Sequence, residues 1–447
     1  MPTPDELRAD LAGALSALQH KQNETAYYLS YYDGQSPLPQ LAERLKKIYA
    51  NLNTEFRQNW CAPVIDACAD RITLTGISMP DEGLQAAFDR IAISSDLLLE
   101  ADDVHKHALI VGQGYIIVWQ DPETEEIEVF YNPANICHIC YHKENPNRKR
   151  YAAKWWHDEG YLYVKLYYPD ALYTFVTECG EDKTNTIKAG AFSLTEDGEQ
   201  ENPHGVIPVW EFRPDRRGTI SDIRDVIPMN DAINATFINM LVVGEYNAFR
   251  QKYIISSGDI AGALRVAPDT ILDIPASDGM GQDTEVGEFS ETNMENYAKI
   301  NDSIISAVGA ITRTPMHYFF KAGGQPSGEA LIALEAPLNK KASDRIARFT
   351  PAWRQIGAFI AKLLGYTVAP EDITPQFERP ETVQPLTQST IRVNNAKAGI
   401  PVTSTLRMEG QPQSVIDDVA TETAAQSSAT ADSMARAFNA GADAPVV

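Results

Sequence analysis

No apolar run in this chain of 447 residues approaches the ~20 residues that a membrane span needs. The longest are Tyr115 to Trp119 and Met240 to Val243. A basic amino-terminal region followed by an apolar stretch is also missing, which predicts a soluble protein made in the cytoplasm. Basic charge is scarce: 38 Lys and Arg stand against 61 Asp and Glu, a formal net charge of −23. A free-standing nucleic-acid-binding module carries a basic footprint, and this chain carries none. Solubility alone accounts for such acidity; a surface that must not hold nucleic acid accounts for it equally well. Cysteine is sparse. Cys61, Cys68, Cys137, Cys140 and Cys179 are odd in number and dispersed, which predicts free thiols.

Catalytic signatures are absent too. There is no G-x-x-x-x-G-K-[ST] phosphate loop, no H-E-x-x-H and no G-x-S-x-G. Gly323-Gly324-Gln325-Pro326-Ser327-Gly328 is glycine-rich but lacks the phosphate-binding lysine. Gly112-Gln113-Gly114 precedes a strand pattern, not a helix, and so fails the dinucleotide-binding context.

What is present is an ordinary globular composition, 44% hydrophobic and 22% charged, of a length that suggests two or three domains. Leu7, Leu11, Leu15 and Leu18 recur at helical spacing after Pro4 and Asp5. A tyrosine-rich stretch, Tyr27 to Tyr32, ends in the turn signal Asp33-Gly34. Phe56, Trp60, Val64, Ile65 and Cys68 predict a second helix over 53–71, with Pro63 inside it. A third helix is predicted over 83–111. From Gly114 to Thr177 the period becomes that of strands, at 115–119, 127–131, 151–156, 161–168 and 172–177, separated by turn signals: an antiparallel meander. Residues 179–206 read as a polar loop or weak hairpin, and 207–212 as one more strand.

After Ser221 the pattern turns helical again, with Ile223, Val226, Ile227, Ile233, Phe237, Met240, Leu241 and Ala248 on one face. Ser221 fits an N-cap with Asp222 and Asp225 in the first turn, and Pro228 marks a start or bend. Short strands are predicted at 253–256 and 270–274. Residues 256–295 hold nine acidic residues and one basic residue, Arg265. Tyr297, Ile300, Ile304, Val308 and Ile311 place another helix over 291–313. Long helix, small acidic β unit, long helix suggests a projecting stalk with a tip. A loop over 314–328 precedes a long helical pattern over 329–365, in which Pro337 is expected to clash with the carbonyl of Ala333 and kink or break the helix. Residues 387–425 suggest short helices, and the last ~25 residues are expected to be disordered.

Few residues offer chemistry. Cys137 and Cys140 have zinc-ligand spacing with His142 nearby, but a strand with alternate residues on opposite faces explains them better. His105 and His107, two apart, point to different faces of a helix and read as polar surface or core residues. Arg148-Lys149-Arg150 reads as a solvated hairpin turn ahead of a nucleic-acid or subunit contact. In the loop His317-Tyr318-Phe319-Phe320-Lys321-Ala322-Gly323-Gly324-Gln325, two readings balance: aromatics packed into a core, or a flexible loop presenting a cation to a polyanion.

Several stretches in a fixed order carry a family resemblance. They are Tyr31-Tyr32-Asp33-Gly34 with Pro37-Leu38, Asn59-Trp60-Cys61 through Arg71, Pro208-Val209 with Phe212, Ser221-Asp222-Ile223 to Pro228, Asn230-Asp231 and Asn234, Thr312-Arg313-Thr314-Pro315, and Pro326 to Leu331. In this order the chain resembles the portal family of long-tailed phages over most of residues 25–365. The resemblance implies an α+β portal fold with wing, helical stem, small α/β clip, kinked long helix and helical crown. It implies a wing over 1–220, stem helices over 221–251 and 291–313, a clip over 252–290, a tunnel loop over 314–327, a kinked helix bent at Pro337 over 328–365, a wing return and crown over 366–430, and a disordered tail over 431–447.

It further implies a non-enzymatic homo-oligomeric ring, expected to hold twelve subunits, at the portal vertex of a virion. Stem packing would fall to Ile233, Phe237, Met240 and Leu241 against Tyr297, Ile300, Ile304 and Val308. Asp269, Asp273, Asp278, Asp283, Glu285 and Glu288 would form an acidic clip surface. Double-stranded DNA would pass through without tight binding, during packaging and ejection. The implied partners are a terminase motor, a head-tail adaptor, and the major capsid and scaffolding proteins; no membrane, metal or cofactor is implied. An acidic lining would repel the duplex while Lys321 offers a sparse foothold. The alternatives are a metal-dependent hydrolase using Cys137, Cys140 and His142, or another phage structural protein.

Overall fold

A capping box starts the chain's first helix. The Thr3 hydroxyl accepts from the Glu6 backbone N–H at 3.4 Å, the Glu6 carboxylate accepts from the Thr3 N–H at 2.9 Å, and Pro4 occupies the first turn. The helix, α1 (Pro4–Tyr32), continues through the tyrosine stretch and stops at the predicted Asp33-Gly34 turn, where Gly34 has φ +70°. The computed structural model describes residues 2–36, 57–121, 124–215, 217–248, 252–255, 285–288, 293–319, 328–381, 385–409, 411 and 413–442. They fall into two compact units. One comprises Met1–Ser36, Asn59–Asp225 and Ile311–Val447, and the other Pro37–Gln58 and Val226–Ala310.

In the first unit the meander divides into two sheets. Strands β2 (Gly114–Gln120), β3 (Ile127–Asn132) and β9 (Val209–Phe212) form an antiparallel sheet in the order β3-β2-β9. Strands β4 (Cys137–Tyr141), β5 (Lys149–Asp158), β6 (Tyr161–Tyr167), β7 (Ala171–Glu178) and β8 (Ser193–Glu201) follow one another in a second antiparallel sheet. The 179–206 segment therefore contributes a real edge strand. Alternation does the packing: Tyr151, Ala153 and Trp155 of β5, with Leu162, Val164 and Leu166 of β6, are buried with Leu11, Ala14, Leu15 and Leu18 of α1 in one apolar cluster. Lys21 ties α1 to both sheets. Its Nζ lies 2.6 Å from the Tyr115 hydroxyl of β2 and 3.3 Å from the Cys137 carbonyl of β4, and the Tyr115 hydroxyl reaches Glu211 of β9 at 3.0 Å.

Helix α2 (Cys61–Ala69) is shorter than predicted, and the predicted residues 53–56 lie outside the described ones. The Asn59 side chain accepts from the Cys61 and Ala62 N–H groups, and Pro63 falls in the first turn, where it costs little. The predicted helix over 83–111 is two helices, α3 (Glu82–Ser94) and α4 (Leu97–Val111), separated at Asp96, whose φ is +48°. Ser94 and Ser95 both turn their hydroxyls back onto the Ile91 carbonyl, which also accepts from the Ser95 N–H at 3.0 Å. Strand β1 (Leu74–Ser78) pairs antiparallel with β12 (Thr374–Phe377), three hundred residues further along.

The long helix α7 (Gly328–Leu363) runs uninterrupted through Pro337 and Pro351, so neither proline breaks it in two. Phe349, Trp353 and Ile356 are fully buried on it. They meet His105 of α4, which stacks on Phe349 at 4.8 Å with an interplanar angle of 3°. The His105 Nδ1–H faces the Ile72 carbonyl at 3.2 Å while Nε2 accepts from Trp353 Nε1 at 2.9 Å, which fixes a neutral tautomer. Beyond it come α8 (Pro385–Lys397), α9 (Val402–Met408) and α10 (Gln413–Ala442). The tail expected to be disordered is thus helical as far as Ala442.

In the second unit, α5 (Ile227–Ala248) begins at Ile227 with Pro228 in its first turn, six residues later than Ser221 suggested. Strand β10 (Lys252–Ile255) pairs antiparallel with β11 (Glu285–Glu288), and α6 (Glu295–Thr312) follows. The predicted strand at 270–274 lies outside the described residues.

Two buried imidazoles, His105 and His107, and the half-buried His138 make this fold sensitive to acid. Burial lowers His105 to about 3, His107 to about 4 and His138 to about 3. Below about pH 6.5 the unfolded chain takes up these protons and the folded chain does not, so stability is lost as pH falls from there towards 3. Each ring weakens the fold by about 1.4 kcal/mol per pH unit crossed. Thermal melts at pH 7, 5.5 and 4.5 are expected to fall progressively, and His105→Phe is expected to blunt the fall.

Candidate functional site

The segment that carries the loop after α6 is positioned by an ionic junction. Helix α4 ends at Gly112, where φ is +93° and an added Cβ would come within 2.7–2.8 Å of the Thr219 and Ile220 backbone. Only glycine fits that approach. The chain at 220–222 then satisfies the open carbonyls of the helix. The Ser221 hydroxyl donates to the Ile110 carbonyl at 2.6 Å, and the Asp222 N–H donates to the Leu109 carbonyl at 3.0 Å. Ser221 is therefore not the N-cap of the following helix; it closes the preceding one.

Asp222 is turned inward, its side chain 5% exposed. Lys341 Nζ lies 3.0 Å from one carboxylate oxygen and the Arg345 guanidinium 2.7 Å from the other. Arg345 also donates to the Pro214 carbonyl at 2.5 Å. Lys341 and Arg345 are one helical turn apart on α7, so one buried carboxylate fixes the rotation of the long helix.

A second clamp holds the base of the loop. Arg71, just past α2, donates to the Ala67 carbonyl at 3.0 Å, to Asn339 at 2.9 Å and to the Tyr318 hydroxyl at 2.8 Å. Its guanidinium also lies 3.5 Å from Glu335. His317 approaches the other Glu335 oxygen at 3.5 Å, and the Phe319 ring sits 5.7 Å from that of Trp60. Residues 316–318 form a 3-10 turn after Arg313, whose φ is +60°. His317, Tyr318 and Phe319 are thus brought together as an anchor. Phe320, Lys321, Gly323, Gly324 and Gln325 lie outside the described residues.

The remaining predicted residues separate. Ile233 and Val308 are buried, while Phe237, Met240, Leu241, Tyr297 and Ile304 are partly buried. Ile300 is 49% exposed; the inward positions beside these are taken by Ile238 and Ile305, one residue along. Glu285 and Glu288 lie in β11, and Asp269, Asp273, Asp278 and Asp283 lie outside the described residues. Cys137 and Cys140 sit at odd separation in β4 and so face opposite ways, and burial pushes the Cys137 thiol up to about 12. Among the described residues no three His, Cys, Asp or Glu side chains are placed to hold a metal ion. Arg150, though exposed, pairs with Asp10 at 2.8 Å, and Lys149 is half-buried, which leaves Arg148 as the exposed member of that run outside an ion pair among the described residues. Among the described residues no helix is long and apolar enough to cross a membrane.

The chain's likeness to known proteins sets its class. Residues 18–425 match the model of a phage portal protein family described as SPP1 Gp6-like, a family of structural portal proteins. The chain belongs to that phage portal family. Similar solved structures include a chain from a "Virion of native gene transfer agent (GTA) particle", with TM-score 0.45 and 12% identity, covering 87% of this chain and 94% of that one. Another comes from a "Neck of native GTA particle computed with C12 symmetry", with TM-score 0.43 and 11% identity, covering 86% and 99%. Among curated proteins, none matches.

Sequence reasoning did not find the Asp222–Lys341–Arg345 junction. Its one signal was a pair of cations four residues apart on the helical face that continues to Phe349 and Trp353. Replacing Asp222 by Ala leaves two cations buried without their counter-charge and is expected to destabilise the fold by about 3–5 kcal/mol in denaturant titrations. Arg71→Ala is expected to loosen the loop base specifically, read as faster amide exchange at 316–319 while exchange in β5 and β6 stays unchanged.

Proposed function

We propose that copies of this chain close into a ring, expected to hold twelve, at one vertex of a virion capsid, and that double-stranded DNA enters and leaves through the central hole. Membership of the phage portal family across residues 18–425 carries this reading. A second observation supports it. Val226–Ala310, with helix, β pair and helix in sequence, belongs to a compact unit of its own, as a stalk distinct from a wing would. On this reading α5 and α6 are the stem, β10 and β11 belong to the clip, and 314–327 is the tunnel loop. The first unit supplies the wing, the long helix bent at Pro337, and the crown.

Assembly of a head-to-tail ring requires each subunit to cover part of its neighbour. Ile300 and Ile311 on one face of α6, 49% and 52% exposed in the single chain, fit such a surface. The clip would dock the terminase motor during packaging and the head-tail adaptor afterwards, and the wing would meet capsid and scaffolding proteins. No phosphate loop is present in the chain, in keeping with ATP hydrolysis residing in the motor. A net charge of −23, repeated around the ring, keeps phosphate contacts few, so the duplex is not held by the sequence-independent attraction that many cations would create. Lys321 would be the repeated exception, presented on a loop whose base Arg71 clamps.

Mass photometry of the purified chain is expected to show a species near twelve times 49.4 kDa, with thirteen equally acceptable for rings assembled outside the capsid. A monomer at every concentration would sink the proposal. Lys321→Ala is expected to reduce DNA packaging or retention without altering ring formation, and unchanged packaging and retention removes the foothold.

A further inference from the structure

In a chain with a net charge of −23, one hollow has no carboxylate in its lining. It has a volume of about 550 Å³ and lies between the β4–β5 turn, the approach to β9 and the last turns of α7. Its floor is aromatic, with Trp210, Phe359 and Tyr366, and its cations are Arg148, Lys149 and Lys362. Among the described residues none of the three cations makes an ion pair. Lys149 donates to the Val209 carbonyl at 2.5 Å and lies 4.7 Å from the centre of the Trp210 ring, and burial lowers it to about 7, which makes it the weakest charge of the three. Lys362 donates to the His204 carbonyl at 2.5 Å. The size is that of a ligand site, and an apolar floor with a few convergent polar groups is its usual chemistry.

The hollow is not closed. Asn147, Lys149, Trp210 and Gln355 also border a second one of about 960 Å³, which continues along α7 past Pro351 to Asp344. From Asp344 to Lys362 the helix covers about 27 Å, the reach of about eight extended residues. An elongated groove of that length suits a peptide better than a compact small molecule. Charge decides which peptide at the end near Lys362, where the aromatic floor and the cations complement an aromatic or large aliphatic side chain flanked by carboxylates; the far end is mixed, with Glu211, Asp215 and Asp344 beside Arg213 and Arg348.

We infer that this groove docks an extended segment of a partner protein, anchored by one large apolar side chain seated against Trp210 and Phe359 and by neighbouring carboxylates at the exposed Arg148 and Lys362. The site lies wholly in the first unit and is independent of the tunnel loop and of the stem residues assigned above.

The test uses the full chain and a fluorescein-labelled octapeptide with one phenylalanine flanked by aspartates. Its control has lysines in place of the aspartates. Fluorescence anisotropy is expected to show the acidic peptide binding at least about tenfold more tightly than the basic one. Lys362→Glu, on an exposed side chain, is expected to reverse that order, and Ala358→Phe to abolish binding by filling the hollow. Circular dichroism melts confirm that each variant is folded, and mass photometry that its assembly state is unchanged. No binding of the acidic peptide at about 1 mM, or equal binding of both peptides, overturns the inference. So does a change of assembly state in folded Lys362→Glu without peptide binding to the parent chain, which would make the groove a contact between copies. Ring formation with no peptide binding defeats this inference alone and leaves the portal reading standing.

Discussion

One buried carboxylate sets the geometry on which the rest of the first unit depends. Asp222 receives Lys341 and Arg345 from the long helix while its own N–H closes the end of α4. Two charged helix positions and one helix terminus are thereby referred to a single residue. A desolvated charge of this kind is tolerated only when its partners are held, so the junction favours one rotation of α7 over all others. That rotation brings Phe349 and Trp353 to His105, and Glu335 and Asn339 to Arg71. Core packing and loop anchoring are consequences of the same constraint, met at different points along one helix.

Elements with a clear period were legible in the sequence, and their contacts were not. The leucine ladder of α1 and the alternating strands β5 to β7 declare themselves because each buries one repeating face. The break at Asp96 was hidden because apolar spacing continues across it; the helix ends where Asp96 takes up the left-handed conformation, φ +48°. Ser221 shows the same limit from the other side. Its residue type promises a cap, and it is one, but for a helix that ended more than a hundred positions earlier. The shift from Phe237 and Ile304 to Ile238 and Ile305 reflects a helical stripe that drifts by one residue within a face wide enough to hold both.

Of the candidate site, the sequence singled out Tyr318 and Phe319 but not what holds them. Tyr318 and Phe319 are conspicuous as aromatics beside glycines. Nothing in residue type announces that Arg71, about 250 positions away, holds one of them, or that Trp60 meets the other. Long-range polar contacts carry no periodicity and so leave no trace in composition. The cysteine pair lies at odd spacing on β4, so its two thiols leave opposite faces of the strand.

The two-stranded ladder of β1 and β12 has a consequence for how the chain is made. Leu74 to Ser78 emerges from the ribosome early, and its partner, Thr374 to Phe377, arrives only after nearly the whole remaining polypeptide has been synthesised. Until then the early strand has an unpaired edge, the kind of surface that invites mispairing. Completion of the first unit must therefore follow translation of the second, whose larger part, Val226–Ala310, is inserted between the two strands. Nascent chains would remain uncommitted for most of their synthesis, and a subunit competent to meet its neighbours would exist only once its last third has been delivered.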